Sequence, residues 1–375
     1  MKITIVCGHF IPSLGYLEVH LARAFALLGH DITVLTSTAV PQYVGNLNRG
    51  FGDDPEGVEV IRLKPKFTLG QVVVADGIER ELNRLNPDLV VVIGLGKAFP
   101  KPVFKTKFRV VSLFGDNAYS YANGSLKTKL LFALFKKSTY RKAIRESEKL
   151  LAYTPESFEA AAGMMGGKDA KILWRQSGFI SLGFWPDTFY FSPDLRRGKR
   201  DALNFRESDK IIITATRIVA EKNLEKAIPL FEKMAENVKW LLVGSAGDGY
   251  AKELEKMLMN RLGGERFRIL GYADKKELNA LYNAADLALY TVPAISIFEA
   301  IGTGLPMVMG DDRSLEHIVK AGFRMAEYRA GDTDLNEWVK MVDDEGKRSK
   351  KALKAQSEFG WIEIAGEVIS LIRKG

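Results

Sequence analysis

An α/β protein of two doubly wound parallel-sheet domains is the fold class this sequence predicts, and three observations predict it. Short β-rich or fully apolar runs alternate with stretches of helical periodicity through both halves of the chain, the pattern of a parallel sheet covered by helices. The 375 residues suffice for two separate cores. The alternation lapses once, over Gly183–Asp194, where two prolines and a run of aromatics show little periodicity and read as a linker.

In the first half, Ile3–Cys7, Ile32–Thr36, Val58–Arg62, Leu89–Ile93, Val110–Phe114 and Leu150–Tyr153 read as strands, and Leu17–Leu28 as a helix. In the second, Lys210–Thr214, Val238–Val243, Phe267–Leu270, Leu287–Tyr290 and Met307–Met309 read as strands with helices between them. Leu224, Ala227, Ile228 and Phe231 have the spacing of a buried helical face, which Pro229 should bend or shorten. The chain ends in a helix after Trp361 with Ile362, Ile364, Val368, Ile369 and Ile372 as apolar positions. The expected division is 1–185, 186–355, and a final segment 356–375 returning to the first domain. Two such domains facing each other would set the loops at their strand C-termini around a central cleft.

Composition is that of an ordinary globular protein, 46% hydrophobic and 27% charged. The net charge of +8 is spread widely and does not argue for nucleic acid. The single cysteine, Cys7, lies in the first apolar run, so no disulfide framework is possible and a reducing compartment is the default. No run approaches the ~20 apolar residues of a membrane span, and Ile3–Cys7 is too short for a signal-peptide core, so a cytoplasmic location is expected. One segment concentrates charge: Lys127, Lys129, Lys136, Lys137, Arg141, Lys142, Arg145 and Lys149 face only Glu146 and Glu148, with leucines and aromatics interleaved. Residues 127–149 fit either a basic amphipathic surface resting on anionic lipid or ordinary helices with an apolar face in the core.

Chemistry concentrates in the second half. Arg217 stands just past a strand and Lys222 opens the following segment; a cation at each end of a strand-to-helix loop suits a diphosphate, while two solvated surface charges are the plain alternative. Ser296-Ile297-Phe298-Glu299 has the form of a capping box, in which the serine caps a helix and the glutamate bonds back to its amide. The other reading gives the amides near Ser296 and Ile297 to phosphate and the Glu299 carboxylate, an acceptor only, to ribose hydroxyls. Small Ala300, Gly302 and Gly304 would let that helix approach its neighbour closely. No histidines have zinc-ligand spacing; His20, His30 and His317 read as structural, and His9, after the first strand, as a candidate contact on the acceptor side. Asp332-Thr333-Asp334 has the form of a metal-binding D-x-D but precedes a helix, where acids are ordinary.

The order of these motifs resembles the retaining glycosyltransferases of family 4, which have the GT-B fold. Phe10 to Glu18, Leu21-Ala22 and Gly29 to Val34 are similar to that family's opening loop, first helix and second strand, and Leu182 to Phe191 to its interdomain turn. Thr216-Arg217 to Lys222, Leu242-Val243-Gly244, Leu270-Gly271-Tyr272, Glu277-Leu278, Ala285-Asp286 and Glu299-Ala300 to Pro306 resemble its donor domain, in sequence. The resemblance implies that Arg217 and Lys222 bind the donor diphosphate, that Glu299 binds its ribose, that Gly15 approaches its phosphates and that Tyr272 lies in the base-recognition segment.

Three positions depart from the family pattern. Thr291 stands where the first glutamate of a pair eight residues apart is usual, Tyr16 where a second loop glycine is common, and Asp116 near the place of a frequent histidine. Tyr16 would wall the acceptor side or restrict the approach to the phosphates. Asp116 would orient the acceptor or stabilise positive charge at the anomeric carbon, or cap the segment that follows it. The resemblance implies transfer of a sugar from a nucleoside diphosphate, UDP- or GDP-linked, without a metal. The acceptor, on the first domain, would be a sugar or, if residues 127–149 rest on a membrane, a lipid-linked or polyprenyl-linked one at its inner face. A sugar-nucleotide epimerase and a non-catalytic scaffold are the competing readings, the second favoured by Thr291.

Overall fold

The computed structural model describes residues 1–40, 51–69, 72–115, 126–246, 249–329, 338, 342 and 344–373. The chain divides into two compact units, Met1–Ser181 with Trp361–Gly375, and Leu182–Gly360. Among the described residues no helix is long and apolar enough to cross a membrane.

The first unit is built on β1 (Lys2–Cys7), β2 (Asp31–Ser37), β3 (Val58–Leu63), a hairpin of β4 (Pro65–Leu69) and β5 (Val72–Ala75), then β6 (Leu89–Ile93), β7 (Val110–Phe114), β8 (Lys149–Ala152) and β9 (Ser177–Phe179). Its main sheet runs β3-β2-β1-β6-β7-β8-β9, every pair parallel. The uninterrupted apolar runs of β6 and β7 are buried along their whole length, as strands covered on both faces must be. The last helix, Trp361–Arg373, packs on the helix Leu17–Leu27, and the His20 ring stacks on Trp361 with centroids 4.9 Å apart.

The basic segment lies on the helix Leu126–Glu146, except for Lys149, which opens β8. Its second half turns Tyr140, Ala143 and Ile144 into the core and leaves Arg141 and Arg145 outside, an ordinary amphipathic arrangement. The side chains of residues 126–135 lie outside the described residues, as do Asp116 and Asp332-Thr333-Asp334.

The second unit contains β10 (Lys210–Ala215), β11 (Val238–Val243), β12 (Phe267–Ile269), β13 (Leu287–Tyr290), β14 (Met307–Gly310) and β15 (Arg324–Tyr328) in the order β12-β11-β10-β13-β14-β15, all parallel. Successive residues of β10 alternate between two cores: Ile211 and Ile213 pack in one, Ile212 in the other with Trp240 and Leu242. Pro229 acts as its chemistry requires. A 3-10 turn covers Leu224–Ala227, and a short helix starts afresh at Ile228 with the proline, which lacks an N–H, in its first turn.

One buried carboxylate ties the base of this sheet together. Asp286 accepts from Arg196 at 2.5 Å, from Arg200 at 3.3 Å and from the Ile211 amide at 2.7 Å, while its own amide donates to the Ile211 carbonyl. The same arginines, with Arg348, also take up the terminal carbonyls of the helix Lys275–Ala284: Arg196 reaches Ala285 at 2.8 Å, Arg200 reaches Ala284 at 3.0 Å and Arg348 reaches Tyr282 at 2.6 Å. Those carbonyls have no partner inside their helix, and cations at a helix C-terminus also suit its dipole.

Removing Asp286 strands the guanidinium of Arg200 in the interior. Asp286→Ala is therefore expected to cost about 3–5 kcal/mol in urea denaturation. Arg197→Ala, which breaks an exposed pair with Asp194, should stay within about 0.5 kcal/mol. Equal losses would contradict the role given to Asp286.

Candidate functional site

β10 and β11 stay in register from Lys210↔Val238 to Ala215↔Val243, whereas β10 and β13 pair only at Ile212↔Leu287 and Ile213↔Ala288. Beyond that the two strands part, at the point where the strand order reverses, which is where open α/β sheets bind ligands. Side chains bridge the gap instead of a ladder. Thr214 Oγ1 donates to the Leu289 carbonyl at 2.8 Å and receives the Trp240 indole N–H at 3.0 Å; Ser296 Oγ donates to the Ala215 carbonyl at 2.5 Å. Further out, Thr291 Oγ1 donates to the Lys222 carbonyl at 2.5 Å and Lys222 Nζ donates to the Pro293 carbonyl at 2.8 Å.

Arg217 and Lys222 therefore stand on one lip of this opening and Thr291 to Ser296 on the other. Arg217 is exposed and has no ion pair among the described residues. Lys222 is partly buried; desolvation, then the neighbouring Arg217, hold its pKa below the usual lysine value, with Glu221 opposing them. An ammonium has three donors and Pro293 takes one. Two cations crowded together, one desolvated, form a place an anion would relieve.

Neighbouring loops are tied to the same lip. A Cβ on Gly244 would lie 1.7 Å from the Thr216 carbonyl oxygen, so only glycine allows this approach. The Gly244 amide donates to Gly271 at 2.7 Å and the Ile218 amide to Ser245 at 2.9 Å. Tyr272, next to Gly271, is thereby held on an adjoining loop and is 59% exposed.

The capping-box reading of Ser296 and Glu299 fails. The helix Ser296–Gly302 begins without a side-chain cap, because the Ser296 hydroxyl is spent on Ala215 and the Glu299 carboxylate on an ion pair with Lys275. The Ser296 carbonyl accepts from the hydroxyls of Tyr282 and Tyr290, each at 3.1 Å; burial pushes both phenols well above their ordinary pKa, so both remain donors. The Ile297 amide donates to the Ala294 carbonyl at 3.2 Å. The small residues of this helix do permit close contact: a Cβ on Gly302 would sit 2.5 Å from the Phe184 ring, and one on Gly304 2.1 Å from the Arg348 carbonyl oxygen.

In the first unit, His9, Gly15 and Tyr16 all belong to the loop that leaves β1. His9 is buried, with Nδ1 3.0 Å from the Ala39 carbonyl oxygen. Gly15 closes a 3-10 turn with φ +58 and Tyr16 precedes the helix Leu17–Leu27, its carbonyl accepting from Val19. His317 is partly buried and stacked on Phe298, and burial takes its pKa down to about 4 against the opposing effect of Glu316. Lys275 is the site residue that sequence reasoning missed. Its partner lies 24 residues away, a spacing with no local signature.

Residues 196–350 match the family described as glycosyl transferases group 1. No curated protein sequence matches the chain. Among solved structures, Anabaena HepE in complex with UDP is similar over 100% of each chain, with 18% identity and a TM-score of 0.74. Sucrose-phosphate synthase from Thermosynechococcus elongatus is 16% identical, with a TM-score of 0.71 over 100% of this chain and 98% of its own. WaaG, a glycosyltransferase involved in lipopolysaccharide biosynthesis, is 17% identical over 100% of each chain, with a TM-score of 0.68. The chain thus has the GT-B fold of two Rossmann-like domains, and its second domain carries the group 1 match.

The lowered pKa of Lys222 has a consequence for stability. Between its folded value and the 10.5 of an unfolded lysine, the folded protein binds fewer protons at this group, so its contribution to stability rises with pH. Lys222→Met should gain stability over wild type at pH 7 in the absence of ligand, and the difference should shrink as pH approaches 10.5, as read by urea denaturation. A difference that does not change with pH would contradict the assignment.

Proposed function

We propose that the chain is a metal-independent, retaining glycosyltransferase of family 4 that takes its sugar from a nucleoside diphosphate. The observation that carries this reading is the pair Arg217 and Lys222 at the strand-order reversal of the domain that matches glycosyl transferases group 1. That HepE is described in complex with UDP supports a nucleoside diphosphate as the leaving group here.

Breaking the anomeric C–O bond leaves the bonding electron pair, and hence a second negative charge, on the β-phosphate of the departing diphosphate. Preformed cations aimed at that charge stabilise the transition state more than the ground state, and a desolvated ammonium does so with little solvent to reorganise. Lys222 and Arg217 perform this role. Glu299, paired with Lys275, takes the ribose hydroxyls, and exposed Tyr272 lies against the base. The Ser296 amide faces the phosphates while that of Ile297 keeps its turn closed. In the first domain, the roles assigned are contact with the donor phosphates for Gly15, the acceptor side for His9 and Tyr16, and orientation of the acceptor for Asp116. The leaving phosphate oxygen helps take the proton of the acceptor hydroxyl on the face it departs from, which preserves the anomeric configuration.

Thermal-shift titration across nucleoside diphosphates and their sugars tests this reading, since a ligand of the folded state alone raises its apparent stability. UDP or GDP should stabilise the protein, and Arg217→Ala or Lys222→Ala should each weaken that ligand by about 10- to 100-fold, the loss expected for a hydrogen bond between charged groups. Retention is read from the anomeric coupling of the product by NMR. Shifts unaffected by either substitution would remove the donor site.

A further inference from the structure

Thr291 occupies the position where the family resemblance leads one to expect a sugar-contacting acid, and its hydroxyl is committed elsewhere. It donates to the main-chain carbonyl of Lys222 at 2.5 Å across the gap between β10 and β13. That carbonyl ends a single 3-10 turn, Ala220–Lys222, and the chain then passes into the left-handed region at Asn223, φ +50. A carbonyl at the end of so short a turn has no helical partner, and the threonine supplies one from the opposite lip.

The other end of Lys222 is held by the same segment, since its Nζ donates to the Pro293 carbonyl at 2.8 Å. Lysine is a point charge on a flexible four-carbon stem, and ordering that stem opposes binding. Pinned at its backbone by Thr291 and at its tip by Pro293, this lysine has surrendered much of its freedom before any ligand arrives. The rest of the segment, Val292, Pro293, Ala294 and Ile295, has only apolar side chains, so the Thr291 hydroxyl is its single side-chain hydrogen-bonding group before Ser296.

We propose that Thr291 is a positioning residue, which places the Lys222 ammonium for the donor diphosphate and does not serve as a ligand of the transferred sugar. The proposal rests on the donor-site reading. It makes the replacement of an acid at this position a change in how the phosphate cradle is held, so that loss of the acid does not imply loss of donor binding.

A double-mutant cycle on the full chain tests it, with UDP and GDP as probes in calorimetric titration. Thr291→Val, which keeps shape and removes the hydroxyl, should weaken the nucleotide by about 3- to 10-fold. Thr291→Ser should restore wild-type affinity. In a Lys222→Met background, Thr291→Val should cause no further loss. If Thr291→Val does not fold, Thr291→Ala enters the same cycle. Unchanged affinity in the threonine variant, or losses that multiply in the double variant, would overturn the proposal while leaving the donor site standing. A Lys222→Met protein that binds UDP and GDP as wild type does would overturn both.

Discussion

The parting of β10 from β13 is the constraint on which the second domain's chemistry depends. Two in-register pairs hold the strands together at Ile212 and Ile213, and above them the backbone ladder stops. A sheet with a complete ladder at that point would leave no room for a ligand. A sheet split further down would lose its core. The chain meets both demands by replacing ladder bonds with side-chain bonds from Thr214, Ser296, Thr291 and Lys222, each spanning from one lip to the other. These bonds fix the width of the opening and leave Arg217 and Lys222 without an ion pair among the described residues.

Such an arrangement needs a rigid base. Asp286 lies at the other end of the same two strands, exchanging main-chain and side-chain bonds with Ile211 while two arginines saturate its carboxylate. Burying that charge is tolerable only because its partners are complete. The same arginines cap the helix Lys275–Ala284, whose first residue carries the counterion of Glu299. One helix therefore links the clasp at the base of the sheet to the carboxylate assigned to the ribose, and its position sets both.

Much of this was readable in the residues. The strands that form the two sheet centres are continuous apolar runs, and β1, β6, β7, β10, β11 and β13 fall within a residue or so of where those runs begin and end. The hairpin β4–β5 and the edge strand β15 were not readable: Lys66, Phe67, Thr68 and Leu69 are exposed, and β15 contains Arg324 and Glu327. Edge positions lack the apolar continuity that marks a buried strand. At the site, Arg217, Lys222 and Glu299 stood out by order and spacing. The capping-box pattern misled because it weighs only neighbours in sequence, and both of its polar groups found partners farther away, at Ala215 and Lys275. No local rule could have given Thr291 its part, since its bond crosses 69 residues.

A crystal structure of the full chain with the nucleoside diphosphate that stabilises it most would test the central claim directly. Both phosphates are expected in the opening between β10 and β13, within hydrogen-bond distance of Arg217 and Lys222, with the ribose hydroxyls on the Glu299 carboxylate. A nucleotide bound elsewhere, or one whose phosphates leave Lys222 still bonded only to Pro293, would contradict it.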